Sequence, residues 1–171
     1  MNDIEWRPVV GYEGYYEVSN RGDVRSLTRT VPHGSHFATY KGKQRKKYLD
    51  TTGYYIVTLR SHGNLEKKYV HRLVAEAFIP NPDNLESVDH IDFDRTNNCV
   101  ENLRWLSPRD NVLHSFRAGR HGTEIPVLRS DGKWFRSFSE AAKASGGISQ
   151  GVWNVIHGKS NSYKGYTFTI A

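Results

Sequence analysis

A single cysteine, Cys99, stands among 171 residues. That scarcity excludes an intramolecular disulfide and any multi-cysteine zinc ribbon. No apolar run approaches the ~20 residues needed to span a bilayer. The opening stretch, MNDIEWRPVVGYEG, holds no apolar signal core, so the chain is expected to stay in the cytoplasm where it is made, with no membrane partner. Acidic charge is also in short supply. Eighteen Asp and Glu face 24 Lys and Arg, a net charge of +6. The resulting pI near 9.4 suits a polyanionic partner. Hydrophobic residues make up 37% and aromatics 12%, enough to fold and too much for wholesale disorder.

The charge is uneven. Residues 1–80 carry 13 basic and 8 acidic side chains, residues 81–120 carry 5 and 7, and residues 121–171 carry 6 and 3. An acidic centre between basic flanks suits a metal-dependent phosphodiesterase, in which carboxylates hold the cation and the flanks neutralise phosphates. Ordinary surface charge would give the same totals.

Three stretches differ in pattern. In residues 1–69, Tyr15–Ser19 alternates, Asn20-Arg21-Gly22-Asp23 is a turn cluster, and Val24-Arg25-Ser26 follows it. Residues 54–60 (YYIVTLR) predict a strand, residues 61–64 a turn and residues 67–70 the return strand of a hairpin. Between them Lys41, Lys43, Arg45, Lys46 and Lys47 form an exposed cationic run, read as phosphate contacts; a merely solvated charge run is the alternative. In residues 70–118, residues 71–78 (HRLVAEAF) have helical spacing stopped by Pro80 and Pro82. Residues 87–89 suggest a short strand and residues 100–103 a helical turn. Ser107-Pro108-Arg109-Asp110 then reads as an N-cap, a proline at the first helical position and an acid at the third, opening a helix to about Ala118. In residues 119–171 a linker (residues 118–124) leads to a small hairpin around Ser130-Asp131-Gly132. Ser139 and Ser149 are expected to cap two short helices separated by Gly146-Gly147, the spacing of a helix-turn-helix, and residues 166–170 alternate like a strand.

The densest polar cluster is Val88-Asp89-His90-Ile91-Asp92-Phe93-Asp94-Arg95-Thr96-Asn97-Asn98, followed by Glu101-Asn102-Leu103-Arg104-Trp105 and Asn111. A calcium-binding EF-hand starting at Asp92 fails, because Asn97 stands where glycine is needed and Leu103 where glutamate is needed. A phosphate loop at Gly158-Lys159-Ser160 fails as well, because Trp153 stands five residues before Gly158. The cluster, together with residues 70–75 and 78–80, resembles the HNH motif of phage homing endonucleases. That resemblance implies a ββα-metal fold around one cation, with His90, Asn102 and Asn111 as the motif's three residues.

Elementary chemistry agrees with the resemblance. Phosphodiester hydrolysis needs an activated water and a cation at the leaving oxygen. Asp89 and Asn111 are hard oxygen donors suited to Mg²⁺ or Mn²⁺, and neutral His90 can accept the water's proton. Asn102 is expected to hold the loop that orients His90 rather than react. Arg104 is read as a DNA contact, His71 as a structural residue of its helix rather than a second base, and Asp92 and Asp94 as turn residues.

The beginning (residues 5–26) resembles the small DNA-binding module that precedes the nuclease domain in these enzymes. The tail (residues 137–168) resembles the helix-turn-helix repeat of intron-encoded nucleases. Their order is that of the Hmu-type nicking group. If the tail is a helix-turn-helix, Ser149, Gln150, Trp153 and Asn154 are candidate base readers, and Gly151 permits close backbone approach to DNA. The expected fold is α+β, a modular elongated chain: an N-terminal antiparallel β ribbon (1–69), a central ββα-metal nuclease (70–118) and a C-terminal helix-turn-helix module (119–171). The expected protein is a monomeric, strand-nicking, site-specific endonuclease acting on double-stranded DNA. A DNA-binding regulator with a decayed nuclease centre and an RNA-binding protein are the rival readings.

Overall fold

The computed structural model describes residues 3–61, 63–120 and 124–171. His62, within the expected turn, and residues 121–123, within the expected linker, lie outside the described residues. The chain forms two compact units, Met1–Leu106 and Ser107–Ala171.

In the first unit, β1 (Trp6–Pro8), β2 (Tyr16–Ser19) and β3 (Val24–Ser26) form an antiparallel meander. The β2–β3 turn has Gly22 at φ 78°, a left-handed conformation that glycine adopts without a Cβ clash. Next, β4 (Arg29–His33) and β5 (His36–Tyr40) pair as a two-stranded ribbon. This ribbon was not foreseen, because Pro32 within β4 cannot donate to a ladder and weakens the strand signal. The expected hairpin is present as β7 (Tyr55–Ser61) and β8 (Asn64–Tyr69), with β6 (Tyr48–Leu49) on the other side of β7.

Helix α1 (Val70–Phe78) follows directly. Val70, Leu73 and Val74 recur at helical spacing and are buried. The helix ends before Pro80, which forces Ile79 into an extended conformation (φ −111°, ψ 115°). Strand β9 (Ser87–His90) pairs antiparallel with β10 (Leu103–Leu106), and a 3₁₀ turn (Val100–Asn102) leads into β10.

Val9, Tyr12, Tyr16, Val18, Val24, Val57 and Leu59 share one core with Val70, Leu73, Val74 and Leu103. Burying each such side chain is worth roughly 1.5–3 kcal/mol, so separating residues 1–69 from residues 70–106 would expose several of them at once. The boundary expected at 69/70 is therefore not a break between cores, and the observed division falls at 106/107 rather than at 118/119.

The second unit opens with α2 (Pro108–Arg117), where Ser107 caps as expected: its hydroxyl accepts from the Asp110 amide at 3.1 Å. Strands β11 (Val127–Arg129), β12 (Trp134–Phe135) and β13 (Phe168–Ile170) form a sheet in the order β12-β11-β13. Helices α3 (Phe138–Ala144) and α4 (Ser149–Ile156) pack on it through Ala141, Ala142 and Val152. Two caps differ from expectation. Ser137, not Ser139, caps α3, accepting from Glu140 at 3.2 Å, because it lies three residues before that acid. Ile148 precedes α4 without a side-chain cap, and Ser149 is the helix's first residue. Buried Arg129 ties the unit together through a bidentate pair with Asp131 (3.0 and 2.8 Å) and a 2.9 Å bond to the Ser145 hydroxyl at the end of α3. Among the described residues no helix is long and apolar enough to cross a membrane.

Candidate active site

The antiparallel register sets Arg104 opposite Asp89 and Leu103 opposite His90. Both β9 residues are buried, Asp89 at 7% and His90 at 5% exposure. A buried carboxylate requires a compensating charge, and Arg104 supplies it: Nε and Nη2 both donate to Asp89 Oδ2, at 2.9 and 2.8 Å. Arg104, expected as a DNA contact, is thus also the cross-strand partner of Asp89, with its side chain 38% exposed.

His90 Nε2 lies 3.3 Å from the Asn98 side-chain oxygen. The imidazole is walled by His71 of α1, with ring centroids 5.2 Å apart, and by Tyr54 at 5.8 Å. Burial, then the nearby His90 and Arg72, push the His71 pKa down to about 3. His71 Nδ1 is buried and finds no hydrogen-bond partner among the described residues. A neutral ring packed against Tyr54 (4.8 Å) and Tyr69 (5.5 Å) matches the structural role expected for it.

Between the two strands the chain makes a tightly bonded loop. Asn102 Nδ2 donates to Asp92 Oδ1 (2.8 Å) and to the Asn97 carbonyl (2.9 Å), while its Oδ1 accepts from the Asp92 amide (3.0 Å). All of its side-chain bonds go to the loop, which is the geometry of a scaffold residue. Asp92 and Asp94 are turn residues. The Asn97 amide holds Asp92 below the usual carboxylate range, and the Thr96 hydroxyl does the same for Asp94.

Asn111 belongs to the second unit, in the first turn of α2, where its amide donates to the Ser107 carbonyl at 3.0 Å. The structure thus places Asp89 and His90 side by side and sets Asn111 on a different unit. Asn98 and Tyr54 are neighbours of His90 to which sequence reasoning gave no role. Asn98 lay within the recognised motif, but its spacing carried no sign of its partner, and Tyr54 read only as a strand residue.

The cationic run 41–47 is not uniform. Lys41, Lys43 and Arg45 line an open cleft of ≈ 380 Å³ with Arg29, Arg60 and Tyr40, and Lys46 lies over the Tyr48 ring at 5.2 Å. Lys47, expected as a phosphate contact, donates its ammonium to the Gly22 carbonyl (2.9 Å) and Asp23 Oδ1 (3.0 Å), anchoring the run to the β2–β3 turn.

On α4, Gln150 Nε2 donates to Asn154 Oδ1 at 2.9 Å, and the Ser149 hydroxyl bonds that of Ser139 at 3.0 Å. Trp153 stacks on His157, with centroids 4.0 Å apart. Gly151, expected to permit close backbone approach to DNA, faces Tyr163. A Cβ there would stand 2.3 Å from the Tyr163 ring, so its missing side chain makes room for an internal contact.

Among the described residues no three His, Cys, Asp or Glu side chains gather to hold a metal. The donors assigned from sequence, one carboxylate and one amide, are both hard oxygens that fit a small divalent cation with most of its shell left to water and phosphate.

The HNH endonuclease family model matches residues 68–113, and the NUMOD4 motif matches residues 5–60. Over 180 aligned residues the chain is 31% identical to DNA endonuclease I-HmuI of Bacillus phage SP01, covering 96% of this chain and 97% of that one. This chain belongs to the HNH homing endonucleases. A solved structure titled for DNA binding and cleavage by the HNH homing endonuclease I-HmuI matches it with a TM-score of 0.56, at 31% identity and over 98% of both chains. An HNH endonuclease of Acanthamoeba polyphaga mimivirus is 29% identical over 131 residues, 74% of this chain and 40% of that longer one. The matched HNH segment runs from the end of β8 through β9 and β10 to residue 113, so it includes Asn111. The enzyme is a nuclease, and the α+β fold expected from its sequence is present.

Proposed function

We propose that this HNH homing endonuclease is a site-specific enzyme that cuts one strand of double-stranded DNA as a monomer, using one Mg²⁺ or Mn²⁺ ion. The observation that carries the reading is the burial of Asp89 and His90 as neighbours on β9, each held by a side chain from elsewhere in the same unit. Asp89 and Asn111 would hold the cation through oxygen. When bound, a divalent cation there stabilises the charge that develops on the leaving oxygen.

The chain's own groups do the rest. His90 takes the proton of the attacking water, a role that suits an imidazole held in one orientation. Arg104 balances Asp89 and keeps its carboxylate in place. Asn102 fixes the loop that follows His90. Lys41, Lys43, Arg45 and Lys46 neutralise phosphates on one flank, while Ser149, Gln150, Trp153 and Asn154 read base edges as part of a helix-turn-helix. One centre in a monomer cuts one strand.

The test is plasmid nicking in Mg²⁺ or Mn²⁺, wild type against His90→Ala. Loss of a general base should slow nicking by roughly 10²–10⁴-fold. Undiminished nicking by His90→Ala overturns the assignment of the base. Linear DNA forming in step with nicked circles overturns single-strand cleavage. Stronger competition from RNA than from duplex DNA at a stated salt concentration overturns the substrate.

A further inference from the structure

We infer that Asn98 is the positioning residue of His90: it holds the ring as the Nε2–H tautomer and leaves Nδ1 as the basic nitrogen. This rests on reading His90 as the base. The Asn98 amide has two distinct ends. Its Nδ2 donates to the Thr96 carbonyl at 3.0 Å, which turns Oδ1 toward His90 Nε2 at 3.3 Å. An amide oxygen only accepts, so Nε2 must donate, and a neutral imidazole carries one proton. Flipping the amide would set its oxygen against the Thr96 carbonyl, two acceptors face to face. Asn98 is 3% and His90 5% exposed, so little water competes for either end.

The Asn98 side chain is itself backed from far away in the sequence. The Val100 amide donates to the Asn20 carbonyl at 2.8 Å, and Asn20 is tied by its side chain to the Glu5 amide and the Asp3 carbonyl, both at 3.1 Å. Beside it, a Cβ at Gly22 would stand 2.8 Å from the Asn98 Cβ and 3.3 Å from its carbonyl oxygen. Only a bare glycine lets the β2–β3 turn press that closely. The N-terminal meander therefore does more than lie ahead of the nuclease motif: its turn is the backstop of the residue that sets the histidine's tautomer.

The decisive measurement is the ring ¹⁵N spectrum of the intact protein at about pH 8.5, where an unperturbed histidine is neutral, with the His90 signals assigned by their absence in His90→Gln. The expected result is a protonated Nε2 and a bare Nδ1. Asn98→Leu should mix the tautomers and lower kcat about 10–100-fold, the usual effect of losing an orienting partner, with KM for DNA little changed. Gly22→Ala, acting from outside the site, should change the spectrum in the same direction but less. A wild-type ring protonated on Nδ1 overturns the inference, and so does an Asn98→Leu protein that keeps both the Nε2–H signature and its kcat. If either variant fails to fold, the wild-type spectrum alone decides. Full nicking by His90→Ala with the Nε2–H signature intact would sink the base assignment and leave the tautomer assignment standing, so the two failures are distinguishable.

Discussion

The strand pair β9–β10 and the helix α4 both carry polar side chains assigned to function, and they hold them in opposite ways. Asp89, His90 and Asn98 are each less than 8% exposed, Asp89 bonded across the strand pair to Arg104 and His90 to Asn98 of the following loop. On α4, Gln150 is exposed and Asn154 half-buried, and the bond between them is local, one turn apart. Burying a polar group is unfavourable unless its bonds are replaced, so the first arrangement exists only where the surrounding core enforces it. What it secures is preorganisation, which a proton-transferring centre needs. The second arrangement is easily exchanged. A Gln–Asn pair can give up its mutual bond for the edge of an adenine with little disturbance to the fold. On the proposed function, chemistry is built into the core and recognition is left on the surface.

The largest effect that separates the two regions should come from acid. The His71 pKa is about 3 in the folded state against 6.5 as its ordinary value. Between those values the unfolded chain binds the proton and the folded chain does not, so stability rises with pH across this window and is lost as pH falls from 6.5 toward 3. In the second unit the sign is the same but the window is lower. Asp131 is held at about 2 by its pairing with Arg129, against an ordinary 3.8, so that contribution is complete above 3.8 and lost as pH falls through 2. Unfolding followed by tryptophan fluorescence and circular dichroism should therefore show the first unit weakening at milder acid. His71→Phe should flatten the slope between pH 6.5 and 3, and Asp131→Asn should leave that slope in place. A His71→Phe protein with the wild-type acid profile would remove the basis for treating this ring as a neutral part of the core.

A smaller loss is expected at Arg104. Replacing it with leucine takes two guanidinium bonds from a carboxylate that is 7% exposed. Breaking a fully buried pair costs several kcal/mol, but the Arg104 side chain is 38% exposed and solvent screens part of the interaction. A destabilisation of about 1–3 kcal/mol follows, read as a lower midpoint in urea with an unchanged slope. A change below about 0.5 kcal/mol would mean that the strand pair tolerates its polar groups as easily as the helix does.

Local signals in the sequence foretold local structure. Ser107-Pro108 with Asp110 started α2 where expected, and Val70, Leu73 and Val74 marked the buried face of α1. The motif residues Asp89 and His90 were legible for a different reason, because the order of polar residue types around them is characteristic of one chemistry. What escaped was set by contacts between residues far apart. Asn20 and Gly22 pressing on residues 98–100 have no signature in spacing, and neither does Lys47 turning in to Asp23. The same contacts erased the boundary expected at 69/70, where texture changes but the core continues. At Gly151 one missing side chain serves equally well for approach to DNA and for an aromatic ring packed from within, and the Tyr163 contact left no sign in the spacing.

The smallest effect on stability, and the sharpest on selectivity, should come from α4. Gln150→Ala with Asn154→Ala removes two side chains bonded to one another, so the second unit should keep its stability to within about 0.5 kcal/mol. If these residues read bases, the same double variant should lose discrimination worth roughly 1–3 kcal/mol for each well-formed contact. The wild type and the variant should then nick a non-specific plasmid at similar rates, while products from a randomised duplex library show a relaxed preference at one or two adjacent positions for the variant alone. A uniform loss at every sequence would instead place these side chains among the phosphate contacts, where binding weakens without change of preference. An unchanged library profile would move base reading off α4 altogether, and the contrast between a buried chemical centre and an exposed reading face would have to be redrawn around the cleft bounded by Arg29, Lys41, Lys43, Arg45 and Arg60.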